Sequence, residues 1–518
     1  MPVLKFVGGI NEQKDTDINI MECSTGQNFL LDKTTNSLRP RSSIDYLGTA
    51  TNEGQIYAIM QLQSRDGSLT QLVKAGSTIY SWDMSTGFTT EATSVNGILY
   101  GFYWGLDDYL IIVDRTLNNY IAYWDSSTYA TLNIGLTNPS ARYGITHNGR
   151  AWFFNLRIDD TFYPNVILAS EFENINNCTI SDQGNMQDPT TSFTSSSDPF
   201  FLVSPDMKPI NGVVEHLGSL IISTFNGGLF RLEGNDATDY NFVDYYISSS
   251  AGGNTSGPQT IQSIGNDIIY VREGPVVELL STTARFGDTA TDDISRWIPN
   301  EISTDASQWH NSHVLYDPTR QQILFMLGKS GNSRCMVLDK YRLDIAKNSD
   351  TGDVLSPWNK YITGLTFGFQ TGMCYAVLLD ASNTTNVYIG DANGNLMKLF
   401  GTEALFDADG TDNKTIAVSR TSKILQGREA IGTPVNGSMY YKRGELTNIT
   451  IDIDFWPTLV RQTSTVPVRA EITSGGDIPT AGTQWDTSKF TPAGRGDKAQ
   501  VVVSFAGEYD VEIESITL

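Results

Sequence analysis

The chain has 518 residues, 58 acidic against 35 basic side chains, and a formal net charge of −23. It is too long for one ordinary core to keep growing, so it must form several domains or one large repetitive unit. The acidic mean field disfavours non-specific capture of nucleic-acid phosphates or anionic lipid.

The N-terminal sequence MPVLKFVGGINEQ has no basic region followed by an apolar core, and no run approaches the length of a membrane span. The sequence therefore predicts a soluble product, made in the cytoplasm and not Sec-exported. Cys23, Cys178, Cys335 and Cys374 lie far apart with no CxxC pair. That spacing points to a reduced compartment, not to a zinc ribbon or a disulfide scaffold.

Residues 1–48 read as an extended arm: one strand, a Gly-Gly turn and a second strand ending at Arg39–Pro40–Arg41. Such an arm is expected to lie over its own body or a neighbour. The basic windows LRPRSS (38–43) and YYKRGE (440–445) read as solvated strand ends.

From 49 to 405 a loose cassette recurs: a short apolar strand, a Gly/Asn/Asp turn, a second strand and a Ser/Thr-rich connection. Examples are GSTIYSWDMSTGFTT (76–90), LGSLIISTFNGGLFRLEG (217–234) and NVYIGDANGNLMKLFG (386–401). Asp66–Gly67, Asn96–Gly97, Asn148–Gly149, Asn226–Gly227–Gly228, Gly331–Asn332 and Asn393–Gly394 mark reversals, because tight hairpins need positive φ. Each cassette is too small to bury its own apolar face, so the copies must stack. Period-2 runs dominate and long amphipathic helices are almost absent, which predicts an all-β chain. The spacing predicts a β-propeller of about six to eight blades.

Two stretches break the repeat. Residues 174–209 and 282–312 read as rim insertions, the second with Trp297 packed under a single helical turn that Pro299 stops. After Leu405 a Gly/Asp loop leads to longer alternating strands, such as NITIDIDF (448–455) and AQVVVSF (499–505), so 406–518 reads as a small β-sandwich.

The search for chemistry finds no catalytic constellation. There are four histidines, His147, His216, His310 and His313, with no GxSxG elbow and no HExxH. His310 and His313 lack a third ligand and read as a polar loop. Asp407, Asp409 and Asp412 around Gly410 offer carboxylates at alternate positions, as a hard cation requires, without the spacing of an EF-hand. The plainer reading is a solvated interdomain turn. Trp82, Trp104, Trp124 and Tyr129 have the chemistry to stack on sugars, but read better as packing between blades. The expectation is therefore a protein that is not an enzyme, with no catalytic, cofactor-binding or metal residue and no cofactor.

Several segments carry a resemblance. FVGGINEQKDTDINIMECSTGQNFLLDKTTNSLRPR at the start, PINGVVEHLGSLIISTFNGGLFRLEGND (209–236), SSSAGGNTSGPQTIQSIGNDIIYVREGPVVELLS (248–281) and FDADGTDNKTIAVSRTSKIL (406–425) followed by KRGELTNITIDID (442–454) resemble, in that order, tail hub or nozzle proteins of short-tailed bacteriophages. The individual motifs are degenerate, and their order along nearly the whole chain carries the likeness. The resemblance implies a virion tail component: a homo-hexameric ring through which genomic DNA leaves without sequence recognition. Its implied partners are tail adaptor, fibre or needle proteins and the host cell surface, with no membrane insertion. The long 174–209 stretch departs from the family pattern. Alternatives are an adaptor or stopper nearer the portal, a glycan-binding or depolymerising propeller, and a metal-dependent propeller hydrolase.

Overall fold

In a computed structural model the described residues are 3–5, 9–12, 23–31, 38–50, 54–84, 87–180, 196–225, 228–246, 260–272, 276–282, 289–302, 313–326, 334–343, 356–363, 374–380, 382–400, 406–408, 413–415, 417–422, 425–431, 437–442, 447–456, 460–468, 485–490, 496–506 and 512–517. Their regular secondary structure is almost wholly β, and among them no helix is long and apolar enough to cross a membrane.

Among these residues, seven antiparallel sheets have four strands each. Six are built from consecutive chain. The first holds Ile56–Gln63, Leu69–Ala75, Thr78–Trp82 and Phe88–Ala92, and the second Leu99–Trp104, Tyr109–Asp114, Ala122–Trp124 and Tyr129–Thr131. The third holds Ser140–His147, Arg150–Ile158, Thr161–Ala169 and Phe200–Val203. The fourth runs Ile210–His216, Ser219–Thr224, Leu229–Glu233 and Asn241–Tyr246; the fifth runs Ile261–Ser263, Asp267–Arg272, Val276–Thr282 and Thr289–Asp293. The sixth has His313–Asp317, Gln322–Met326, Arg334–Asp339 and Trp358–Ile362. The seventh takes Cys374–Leu379, Thr385–Gly390 and Asn395–Leu399 from late in the chain, and its outer strand, Ile44–Thr49, from near the start.

The first strand of each sheet lies against the first strand of the next, and the seventh returns to the first, so the ring is closed. This is the arrangement of a β-propeller. Each gap between neighbouring sheets is filled by its own apolar cluster, which is how units too small to bury a face alone become stable. Trp82, Trp104 and Trp124 belong to these clusters and are buried, and Tyr129 packs half-buried against one of them. Closure by a strand from the far end of the chain also leaves no three-stranded last sheet with an open edge.

The hairpins follow the turn chemistry. Asn148 and Gly149 both have positive φ (48° and 69°), as the two-residue turn between the first strands of the third sheet demands. Gly67, Gly97 and Gly394 also turn with positive φ, whereas Asn226–Gly227 and Gly331–Asn332 lie outside the described residues.

The N-terminal segment is not a separate arm. Ile44–Thr49 completes the ring, while Cys23–Gln27, Leu38–Pro40 and Val3–Lys5 pair with strands from beyond residue 400, and Phe29–Leu31 pairs with Leu38–Pro40. Two six-stranded sheets result. One runs Cys23–Gln27, Ala417–Ser422, Gly496–Ala506, Thr447–Trp456, Val460–Val468, with Leu425–Ile431 also on Gly496–Ala506. The other runs Phe29–Leu31, Leu38–Pro40, Glu512–Thr517, Gly437–Lys442, Trp485–Phe490, with Val3–Lys5 on Glu512–Thr517. Their side chains share one cluster with the fifth and sixth sheets, in which Phe29, Leu38, Ile451, Val503 and Ile516 meet Phe325 and Trp358.

The stretches read as rim insertions each contain the outer strand of a sheet. Phe200–Val203 is the outer strand of the third sheet, and Thr289–Asp293 that of the fifth. Residues 181–195 and 303–312 lie outside the described residues. Around Trp297 the chain makes turns, with Ile298 N donating to Ser295 O at 2.9 Å and Ile302 N to Ile298 O at 3.0 Å, and Trp297 is buried.

The edge of the sixth sheet is covered by the N-terminal segment. Ile10 N donates to Trp358 O (2.7 Å), Asn28 N to Lys360 O (2.7 Å), and Ile362 N to Asn28 Oδ1 (2.7 Å). A Cβ on Gly9 would overlap the backbone carbonyl oxygen of Trp358. Gly9→Ala is therefore expected to lower stability by about 1–3 kcal/mol, the usual cost of forcing atoms into a packed site, read as a lower urea midpoint at unchanged slope. An unchanged midpoint would show that this edge is not packed as described.

Candidate functional site

The seven first strands enclose an axial cavity of about 780 Å³. Its middle is apolar, walled by Ile59, Ile145, Val214, Leu315 and Val377. Polar groups enter from Tyr57, Gln61, Tyr100, Gln262, His313, Cys374 and Arg115. Arg115 carries the one formal charge among the described lining residues, in a chain whose acidic residues outnumber its basic ones.

Arg115 is held here by its turn. Asp114 ends the second strand of its sheet and accepts from Ile98 N (3.1 Å), Thr116 N (2.9 Å), Asn118 N (2.9 Å) and Asn119 N (3.0 Å). Arg115 N donates to Ile98 O at 2.9 Å. Burial pushes the guanidinium pKa down, opposed by Tyr143, Cys374 and Asp114, while Arg142 adds to the lowering. Lys74 lies behind the wall, its Nζ 4.6 Å from the Tyr57 ring centroid and donating to Gly76 O at 2.7 Å. Burial lowers its pKa to about 8.

His313 opens the first strand of the sixth sheet and is buried, with its ring edge-on to Tyr375 at 5.2 Å. Its Nδ1 has no hydrogen-bond partner among the described residues. Burial, aided by the Arg115 charge, brings its pKa down to about 3, so the folded protein holds it neutral. The unfolded chain, with the ordinary value near 6.5, binds one more proton between these limits. Stability from this group is complete above pH 6.5 and is lost as pH falls towards 3, at about 1.4 kcal/mol per pH unit. Urea melts of the wild type and His313→Gln at pH 7 and pH 4.5 are expected to show the steeper acid loss in the wild type. Equal losses would contradict a buried neutral imidazole.

The other singled-out residues do not converge. His147 Nδ1 lies 3.3 Å from Glu215, and His216 Nδ1 lies 2.9 Å from Ser263 Oγ, both at the far ends of first strands. His310 is outside the described residues. The acidic loop is divided: Asp409 and Asp412 lie outside them, while Asp407 is buried against Arg41. Asp407 Oδ1 accepts from Arg41 Nη1 (2.8 Å) and Ile44 N (3.1 Å), and Oδ2 from Arg41 Nη2. Arg41 also donates from Nε to Asn28 Oδ1 (3.0 Å), from Nη1 to Ser42 O (2.8 Å) and from Nη2 to Ile362 O (3.0 Å). The window LRPRSS is thus no solvated strand end at Arg41. A charge surrounded by this many acceptors is held inside because its partners are supplied there.

No disulfide joins the four cysteines; burial raises the Cys374 thiol to about 12. Among the described residues no group of three or more His, Cys, Asp or Glu is placed to hold a metal ion.

No protein-family model matches the chain, and no curated protein matches it. Solved structures with similarity include the computationally designed Ika8 protein, at 10% identity and TM-score 0.34, covering 69% of this chain and 100% of that one. Another is the Cps50 (Swd1) beta-propeller domain of Myceliophteria thermophila, at 11% identity and TM-score 0.41, also covering 69% and 100%. The ring described above rests on its own strand pairing.

The cavity was not legible in the sequence. Its wall comes from seven segments spread between residues 55 and 378, and Arg115 sits in a turn, DRTLNN, that reads as an ordinary hairpin connection.

Proposed function

We propose that the chain is a structural subunit of the tail of a short-tailed bacteriophage: a seven-bladed propeller joined to a two-sheet sandwich, six copies of which ring a channel for the outgoing genome. The observation that carries this reading is the order of the resembling segments from residue 6 to 454, read with the interlocking of its two ends. The N-terminal segment that resembles the family's opening supplies three strands of the terminal sheets, and the residues flanking it supply a fourth and the closing strand of the ring. A part that must keep its shape under load gains from such cross-threading, because neither unit can open alone.

The DNA path lies between copies in this reading. A cavity of about 780 Å³ inside one ring cannot pass a duplex whose major groove alone is about 12 Å wide. The acidic balance suits a wall along which phosphates slide and do not stick. The partners are then the tail adaptor, fibre or needle proteins, with the host surface at the distal end. An adaptor or stopper nearer the portal is the neighbouring reading within the same class.

The glycan-binding alternative has less support, since Trp82, Trp104 and Trp124 are spent on packing. Native mass spectrometry of the full chain, alone and mixed with tail particles lacking it, tests the proposal. Six copies per assembly support it. A monomer that leaves those particles incomplete and binds an immobilised glycan overturns it.

A further inference from the structure

We propose that the axial cavity is a binding site for a small amphipathic anion, its acid group on Arg115 and its apolar body along the walls formed by Ile59, Ile145, Val214, Leu315 and Val377. Three features support this. The cavity has the size of a small-molecule site, about 780 Å³. Its described lining contains a guanidinium and no carboxylate, although acids outnumber bases in the chain. At the same wall His313 adds an imidazole that is 6% exposed.

Guanidinium pairs with carboxylate or phosphate through two parallel hydrogen bonds, so either acid group satisfies the chemistry. The apolar walls favour the one attached to a hydrocarbon. Desolvation lowers the guanidinium's pKa, and an anion placed beside it would oppose that lowering. The site is internal to one chain and so does not depend on how many copies assemble.

Calorimetric titration of the full chain with sodium octanoate, octanamide and sodium phosphate tests the assignment. Octanoate is expected to bind once per chain, about tenfold or more tighter than octanamide, with phosphate weaker than octanoate. Arg115→Gln should reduce octanoate to the level of octanamide. Gln262→Trp, which fills the cavity from a half-buried wall position without touching Arg115, should abolish binding of both, and it decides the case if Arg115→Gln does not fold. Octanoate that fails to bind, that binds no better than octanamide, or that binds Gln262→Trp as it does the wild type, overturns the site. Phosphate binding as tightly as octanoate overturns the amphipathic ligand.

Discussion

Asp407→Asn is expected to destabilise the protein by about 3–5 kcal/mol, the usual cost of leaving one member of a buried ion pair uncompensated. Arg41 and Asp407 are both essentially inaccessible to water. The amide that replaces the carboxylate can still accept, but it carries no charge to balance the guanidinium. Arg41 also holds Asn28 and the carbonyl of Ile362, and Asp407 holds Ile44 N, the first residue of the ring-closing strand. The loss therefore spreads across three parts of the chain: the N-terminal segment, the sixth sheet and the start of the terminal region. Replacing both, Arg41→Met with Asp407→Leu, should recover part of the loss, because it removes the desolvation cost along with the attraction. Equilibrium urea unfolding reads both effects. If Asp407→Asn unfolds within about 0.5 kcal/mol of wild type, the pair is not buried as described.

Removing residues 1–49 is expected to abolish cooperative folding, and removing only 1–22 to lower the melting temperature while leaving a single transition. The longer deletion takes the outer strand of the seventh sheet and four strands of the terminal sheets. With it go the buried side chains of Phe29, Leu38 and Ile44, each worth about 1.5–3 kcal/mol. Added to the loss of Arg41, this is comparable with the about 5–15 kcal/mol that holds a whole domain folded. The shorter deletion removes one short strand and the pairing of Gly9 and Ile10 with the sixth sheet. Differential scanning calorimetry of the two truncations distinguishes them. A chain starting at residue 50 that melts in one sharp transition would refute the closure.

The all-β class and the stacked cassettes were legible because each is a local property: period-2 alternation and Asn-Gly turns. The closing strand was not. IDYLGT alternates over six residues like any edge strand, and its partner, Asn395–Leu399, lies about 350 residues away. Nothing in the periodicity of either names the other. The outer strand Phe200–Val203 was hidden for a different reason: it has four residues and follows a Ser/Thr-rich stretch, so it read as part of an insertion. Arg41 looked solvated because burial of a guanidinium depends on acceptors that the fold brings from Asn28, Ile362 and Asp407. The bland reading of the tryptophans survived, since their alternation within apolar strands already placed them on packed faces.

The central claim is that this chain builds a ring of copies and acts as scaffold. Cryo-electron microscopy of the purified full chain, and of tail particles reconstituted with it, measures that most directly. The account predicts six copies around one open pore wider than a duplex, each copy with its own closed propeller set off the common axis. Single propellers with no higher-order ring in either sample would contradict it.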